Sequence, residues 1–357
     1  MKKPLLLCLA ALGAFVSCQD IVKYEEHVPD PSELKIQDEF QLGRALFYDT
    51  KLSADNSIAC ASCHQQSAGF ADNRPLSVGV HGRMTKRNSM PIQNITAEGS
   101  IVFDSTGFVE DSIGPTPLFW DGREPILAKM VLMPFLDHNE HGLADENELV
   151  AKVKAQDYYQ DAFQRVYGSE ADADLIANSL STFVLSLQSQ NTKLDRFLQG
   201  NETLNEQELK GFELFFTKYD CNSCHQVNDP SGYLKVNNGG FADIGLETNP
   251  DDKGRFIRTG LNEDIGKFKI PSLRNVALTA PYMHDGRFAN LDSVIEHYSD
   301  GMLLTTNLDH ALKDENGQPL MLNISQDERE QLVAFLRTLT DQSLPFDPQF
   351  SNPFDTD

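Results

Sequence analysis

Two short runs, Cys60-Ala61-Ser62-Cys63-His64 and Cys221-Asn222-Ser223-Cys224-His225, constrain this chain more than any other feature. Thiols two residues apart can add to the two vinyl groups of one haem, and the histidine directly after them is placed to ligate the iron. Of the six cysteines, Cys8 lies in an amino-terminal apolar run and Cys18 closes that run. The other four form the two pairs, so none is left for a disulfide framework. Zinc would need further Cys or His partners, and no cysteine remains to supply them. The expectation is two covalent haem c groups, one on Cys60, Cys63 and His64 and one on Cys221, Cys224 and His225.

Such maturation belongs outside the cytoplasm, and the amino terminus agrees. Lys2 and Lys3 precede an uncharged apolar stretch over residues 5–16, too short to span a bilayer, so residues 1–17 read as an export signal. Phe15-Val16-Ser17-Cys18 resembles a bacterial lipoprotein cleavage box, with Cys18 as the lipidated first residue of the mature chain. The plainer alternative is an ordinary secretory signal with an incidental cysteine. The expected location is the periplasm or cell envelope, with the membrane touched only through an amino-terminal lipid anchor. Acidic residues number 53 against 30 basic. That imbalance argues against a nucleic-acid partner and favours basic ones, unless it serves solubility alone.

Residues 18–37 are polar, hold Pro29 and Pro31, and read as a linker. Leu42, Ala45 and Leu46 recur at helical spacing before the first anchor, and Leu209, Phe212 and Phe216 do so before the second. From Ser67 to Phe119 the chain is rich in Gly, Pro, Asn and Ser, which predicts long loops. Helical patterns follow over 146–167, 174–198 and 326–339, and Asn205 with Glu208 and Ser325 with Glu328 have capping-box spacing. The repeated order of helix, anchor, loops and helices suggests duplication. The fold class expected is mainly α: two c-type cytochrome-like domains, each wrapped around one covalent haem, with long loops. The boundaries are 38–199 and 200–345, with a tail over 346–357.

Further runs carry a resemblance. Ser77-Val78-Gly79-Val80-His81-Gly82, Arg87-Asn88-Ser89 and Phe119-Trp120-Asp121-Gly122-Arg123 resemble the first domain of bacterial di-haem cytochrome c peroxidases. So do Pro271-Ser272-Leu273-Arg274-Asn275-Val276, the stretch from Leu278 through Tyr282-Met283-His284-Asp285-Gly286-Arg287-Phe288, and Val294-Ile295-Glu296-His297-Tyr298 in the second half. The resemblance covers roughly residues 38–340. A relative within it is the di-haem oxidase that forms a tryptophan-derived quinone in methylamine dehydrogenase.

The resemblance implies roles. His64 becomes the proximal ligand of a peroxidatic amino-terminal haem, with His81 at the displaceable distal position; the alternative leaves His81 at the pocket edge. Glu140 falls where the family keeps a catalytic glutamate, and its spacing from Trp120 favours it over Asp137. Trp120, the sole tryptophan, falls between the haems and mediates electron transfer. Asn88, Thr279 and Pro281 match an oxygen-only calcium site. Tyr298 takes the distal position of the carboxyl-terminal electron-transfer haem, where peroxidases have methionine and the quinone-forming oxidase has tyrosine. The residues alone leave His81, His138, His141, His284, His297, Met283, Met302 and Tyr298 open as sixth ligands. Residues 92–114 look like an inserted loop, and Met130 stands where the family suggests glutamine. The implied activity is reduction of hydrogen peroxide with electrons from a small donor protein, a cytochrome c or cupredoxin, by a chain that can pair as a homodimer. The alternatives are an oxidase of the quinone-forming type and a pure electron carrier.

Overall fold

The computed structural model describes residues 34–95, 118–225 and 240–355. The signal segment, Cys18 and most of the expected insertion lie outside these residues. Twelve α-helices are described: α1 Glu39–Tyr48, α2 Cys60–Cys63, α3 Leu127–Met130, α4 Met133–Leu136, α5 Glu146–Lys154, α6 Asp157–Tyr167, α7 Ala173–Ser186, α8 Lys193–Leu198, α9 Glu206–Glu213, α10 Phe256–Thr259, α11 Leu291–Glu296 and α12 Gln326–Arg337. A short antiparallel pair, β1 Phe241–Ala242 and β2 Phe268–Lys269, is the only sheet among them. No described helix is long and apolar enough to cross a membrane.

Two hydrophobic cores organise the chain, each around one helix crossing. In the first, the Asp38 carboxylate caps α1, whose Leu42, Ala45 and Leu46 are buried as their spacing predicts. Helix α1 crosses α7 where Gly43 meets the Ser179 carbonyl. In the second, the capping box of Asn205 and Glu208 starts α9, and that of Ser325 and Glu328 starts α12. Helix α9 crosses α12 where Gly211 meets the Gln331 carbonyl. It then widens into a π-turn over Leu214–Lys218 that delivers the chain to Cys221.

Three expected elements differ. The pattern over 146–167 is two helices, because Gln156 leaves helical geometry; the hydroxyls of Tyr158 and Tyr159 then both donate to Asp49 Oδ2, at 2.8 and 3.1 Å. The pattern over 174–198 also splits. The polar run after Leu187 gives no helix face to bury, and Thr192 with Asp195 forms a capping box that opens α8. The third difference is the carboxyl-terminal segment, which folds back on the first core. Leu344 and Phe350 are buried there, Tyr48 donates to the Phe350 carbonyl at 2.7 Å, and Gln66 donates to the carbonyls of Leu344 and Asp347. The last residues of the expected linker also pack, with Ile36 buried in the same core.

The halves meet through polar contacts. Arg87 binds Asp121 in its own half and Asp252 in the other, at 2.7 and 2.6 Å. Asn88 donates its backbone N–H to the His284 carbonyl at 2.7 Å, and Lys269 donates its own to the Trp120 carbonyl at 2.8 Å.

Candidate functional site

The two anchors share one local architecture. His64 closes α2, and a left-handed turn at Gly69 and Phe70 brings the Phe70 carbonyl back to 3.1 Å from its Nδ1. The Pro271 carbonyl stands 3.1 Å from His225 Nδ1. A carbonyl only accepts, so the ring proton sits on Nδ1 and the Nε2 lone pair is left for a metal. Burial lowers the pKa of both imidazoles, outweighing these hydrogen bonds, and keeps them neutral as ligation requires. None of the four anchor cysteines is paired in a disulfide. Burial pushes Cys60 and Cys221 up to about 12 and Cys63 to about 11, so all remain protonated at neutral pH. Paired thiols beside a neutral imidazole with a free Nε2 suit haem c. No group of three or more Cys, His, Asp or Glu among the described residues offers a rival metal cage.

Around the first anchor the structure gathers Glu140 and the loop bearing His81. Val80 donates its N–H to the Glu140 carbonyl at 2.9 Å. Gly79 packs so closely that a Cβ there would lie 1.9 Å from the Asn139 carbonyl oxygen. The Glu140 carboxyl is raised to about 7 by burial first and by Asp137 second, with Arg123 opposing. Its charge bears on Cys60 and Cys63, so it lies within electrostatic reach of the first thiol pair. His81 has positive φ and an exposed ring whose Nδ1 lies 3.2 Å from Asp55 Oδ2; the same oxygen accepts its backbone N–H at 2.8 Å. Asp55 had no signal in the sequence, because nothing in its surroundings marks a loop acid as a histidine's partner.

Trp120 lies on the seam between halves. Its Nε1–H donates to the Asn88 carbonyl at 2.9 Å while its own carbonyl binds the second half. Asn88 spends its amide protons on the carbonyls of Arg74 and Pro75, and no described residue donates to its Oδ1. Thr279 is buried, and its methyl lies in contact range of Gly69, so two of the three expected calcium positions reach the seam. Pro281 is buried nearby in sequence.

At the second anchor, Tyr298 sits in a π-turn over His297–Gly301. Burial first, and the neighbouring Cys221 and Cys224 thiols second, push its hydroxyl well above the usual range, and no described residue hydrogen-bonds it. Three of the other candidates, His297, His284 and His138, make contacts elsewhere. His297 Nε2 faces the Ile244 carbonyl at 2.8 Å, and His284 stacks on Phe268 with ring centroids 3.7 Å apart. His138 contacts Arg83 on the surface. His141 is buried with its ring centroid 4.6 Å from that of Phe135. Met302 is buried and Met283 half-buried. The carbonyls of Phe70 and Pro271, which orient both anchors, could not be read from sequence because any residue supplies a carbonyl.

Fold and site define a chain suited to carry two covalent haems, one near a half-buried carboxyl and one near a tyrosine. It belongs to the di-haem cytochrome c peroxidase family: the family model of that description matches residues 37–203, and similarity to relatives extends far beyond it. The chain is 31% identical over 319 residues to the methylamine utilization protein MauG of Methylorubrum extorquens, spanning 88% of this chain and 82% of the relative. It is 31% identical over 354 residues to the cytochrome c551 peroxidase of Nitrosomonas europaea, spanning 96% and 92%. A crystal structure of a MauG-like protein associated with microbial copper homeostasis superposes with a TM-score of 0.75 at 31% identity, covering 88% of this chain and 93% of the other. The family implies two haem c groups, which the anchors fit.

Proposed function

We propose that the chain is an exported di-haem peroxidase that reduces hydrogen peroxide to water with electrons from a small cytochrome c or cupredoxin. The observation that carries this is Glu140: a carboxyl beside the first thiol pair, held by burial at a pKa of about 7. Haem bound at the anchors supplies redox-active iron and a coordination position for peroxide. The protein's own part is proton movement. The Glu140 carboxylate takes the proton from the near oxygen of peroxide and returns it to the leaving oxygen, and a pKa near the working pH suits both transfers. His64 and His225 are held in one tautomer by the Phe70 and Pro271 carbonyls. His81 is tethered to Asp55 at the surface, on a loop whose Val80 N–H is bonded to the Glu140 carbonyl. Trp120 provides a bonded route between the halves for electrons entering at the second anchor.

Calcium at Asn88, Thr279 and Pro281 fits the same reading, the unclaimed Asn88 Oδ1 being the side-chain ligand. Location in the periplasm or cell envelope, with a lipid on Cys18, also belongs to it, as does a homodimer. The test is steady-state peroxide turnover with reduced donor. Glu140→Gln is expected to lose most activity while retaining both haems, and unchanged turnover rejects the reading.

Tyr298 favours a second reading, an oxidase of the quinone-forming type that withdraws electrons from a protein or organic substrate. Its hydroxyl stands near Cys221 and Cys224, where methionine would mark a high-potential electron-entry haem. Peroxide added to the fully oxidised protein separates the two. Reaction without prior reduction favours the oxidase, and reaction only after reduction favours the peroxidase.

A further inference from the structure

Among the described residues Lys269 is a cation without an anion. Its backbone N–H donates to the Trp120 carbonyl at 2.8 Å, and two residues further on the Pro271 carbonyl holds His225 Nδ1 at 3.1 Å. The residue therefore lies between Trp120 and the second haem anchor. On β2 its neighbour Phe268 turns the other way, on to the His284 ring. Lys267 by contrast has Asp264 at 3.5 Å, but no described carboxylate or carbonyl partners the Lys269 ammonium. Burial alone pulls it down to about 8. Yet it is not sealed: it stays half-exposed, as do Cys60, His64, Cys221, His225 and Tyr298, the residues that surround the haem positions. A buried ammonium is retained where an anion meets it. Haem carries two propionate carboxylates, which need cations for the same reason.

We propose that Lys269 is a positioning residue for the second haem, its ammonium pairing with a propionate of the porphyrin bonded to Cys221 and Cys224 at the seam beside Trp120. The pair satisfies both charges in a low-dielectric junction and fixes the haem edge relative to Trp120. A fixed positive charge there stabilises the reduced iron, so it raises the potential of that haem. This rests on the chain carrying two haems and is independent of whether the oxidant is peroxide.

The experiment uses the holoprotein and begins with haem content, since a wild-type chain with fewer than two haems fails the two-haem reading rather than this one. Spectroelectrochemical titration of Lys269→Gln, with two haems retained, is expected to shift the second haem to lower potential. Lys269→Arg is expected to keep it near the wild-type value. A wild-type midpoint in Lys269→Gln, or an equal shift in both variants, overturns the proposal. If Lys269→Gln loads haem poorly, resonance Raman of the wild type decides. Exchange into deuterium oxide should shift a propionate bending band of the second haem, and a band that does not move overturns the assignment.

Discussion

The Ser179 carbonyl oxygen occupies the space that a Cβ on Gly43 would need, 1.9 Å from it. Gln331 stands in the same relation to Gly211, also at 1.9 Å. Phenylalanines flank both crossings in matching places: Phe47 packs on Phe183 with centroids 4.9 Å apart, and Phe215 on Phe335 at 5.1 Å. Phe47 and Phe215 each lie one helical turn after their glycine, and Phe183 and Phe335 one turn after the carbonyl it meets. One packing device is thus used twice, which gives the duplication suggested by the anchors a structural counterpart.

Gly43→Ala and Gly211→Ala follow as tests of that device. Alanine favours a helix over glycine by about 1 kcal/mol. A methyl driven into a backbone carbonyl must instead part the helices, and overpacking of that kind costs about 1–3 kcal/mol or more. The clash wins, so both variants should unfold at lower denaturant concentration than wild type. Stability equal to or above wild type would mean that the crossings are looser than described.

Much of this was legible in the sequence for reasons that can be named. The anchors are contiguous, so spacing alone carries them, and the caps at Asn205 and Ser325 were visible because capping boxes are local. Glu140, His81 and Trp120 were reached only through resemblance to a family, because a lone acid, histidine or tryptophan has no local signature. The break at Gln156 is hidden because apolar residues resume at once with Tyr158 and Tyr159, and the one after Leu187 because they resume at Leu194 when the polar run ends. The return of Phe350 to the first core was missed because one aromatic residue shows no period. Asp55 and Lys269 matter only through partners distant in sequence, which no window along the chain contains.

The pH dependence of activity should follow Glu140. If its carboxylate is the working base, the rate per unit peroxide falls as pH drops through about 7, where the buried group gains its proton. Asp137 contributes to that raised value through its charge. Asp137→Asn keeps an oxygen for the Asn139 N–H, bonded now at 2.8 Å, but removes the charge. The Glu140 pKa then falls and the acid limb of kcat/KM moves to lower pH. Glu140→Gln should lose about 10²–10⁴-fold in rate. A limb that stays in place or moves to higher pH in Asp137→Asn would assign it to another group.

Tyr298 makes a separate prediction at the second haem. A phenolate donor stabilises oxidised iron more than a thioether does. Tyr298→Phe removes that oxygen while preserving the ring, so the second haem should rise in potential and its paramagnetic resonance spectrum should change. The hydroxyl has no described hydrogen-bond partner, so little else is lost. Identical spectra and potentials in the variant would show that Tyr298 only packs against the site.

The Asp195–Arg274 pair should govern acid stability, and its sign can be worked out. Both side chains are 4% exposed, joined at 2.7 and 3.0 Å, and Asp195 also closes the Thr192 capping box. Burial alone would raise the Asp195 carboxyl, but the Arg274 hydrogen bonds and charge outweigh it and hold its pKa below the ordinary value. A carboxyl lowered on folding stabilises the fold above its unfolded pKa, and that contribution is lost as pH falls through the folded value. Arg274→Met strands the charge and should cost about 3–5 kcal/mol near neutral pH. In acid Asp195 is protonated in both proteins, so the gap measured by denaturant unfolding should narrow as pH falls. Asp195→Asn with Arg274→Met should recover part of the neutral-pH loss, because no charge is then left unpaired. A gap that stays constant with pH would mean that Arg274 acts through packing rather than through its charge.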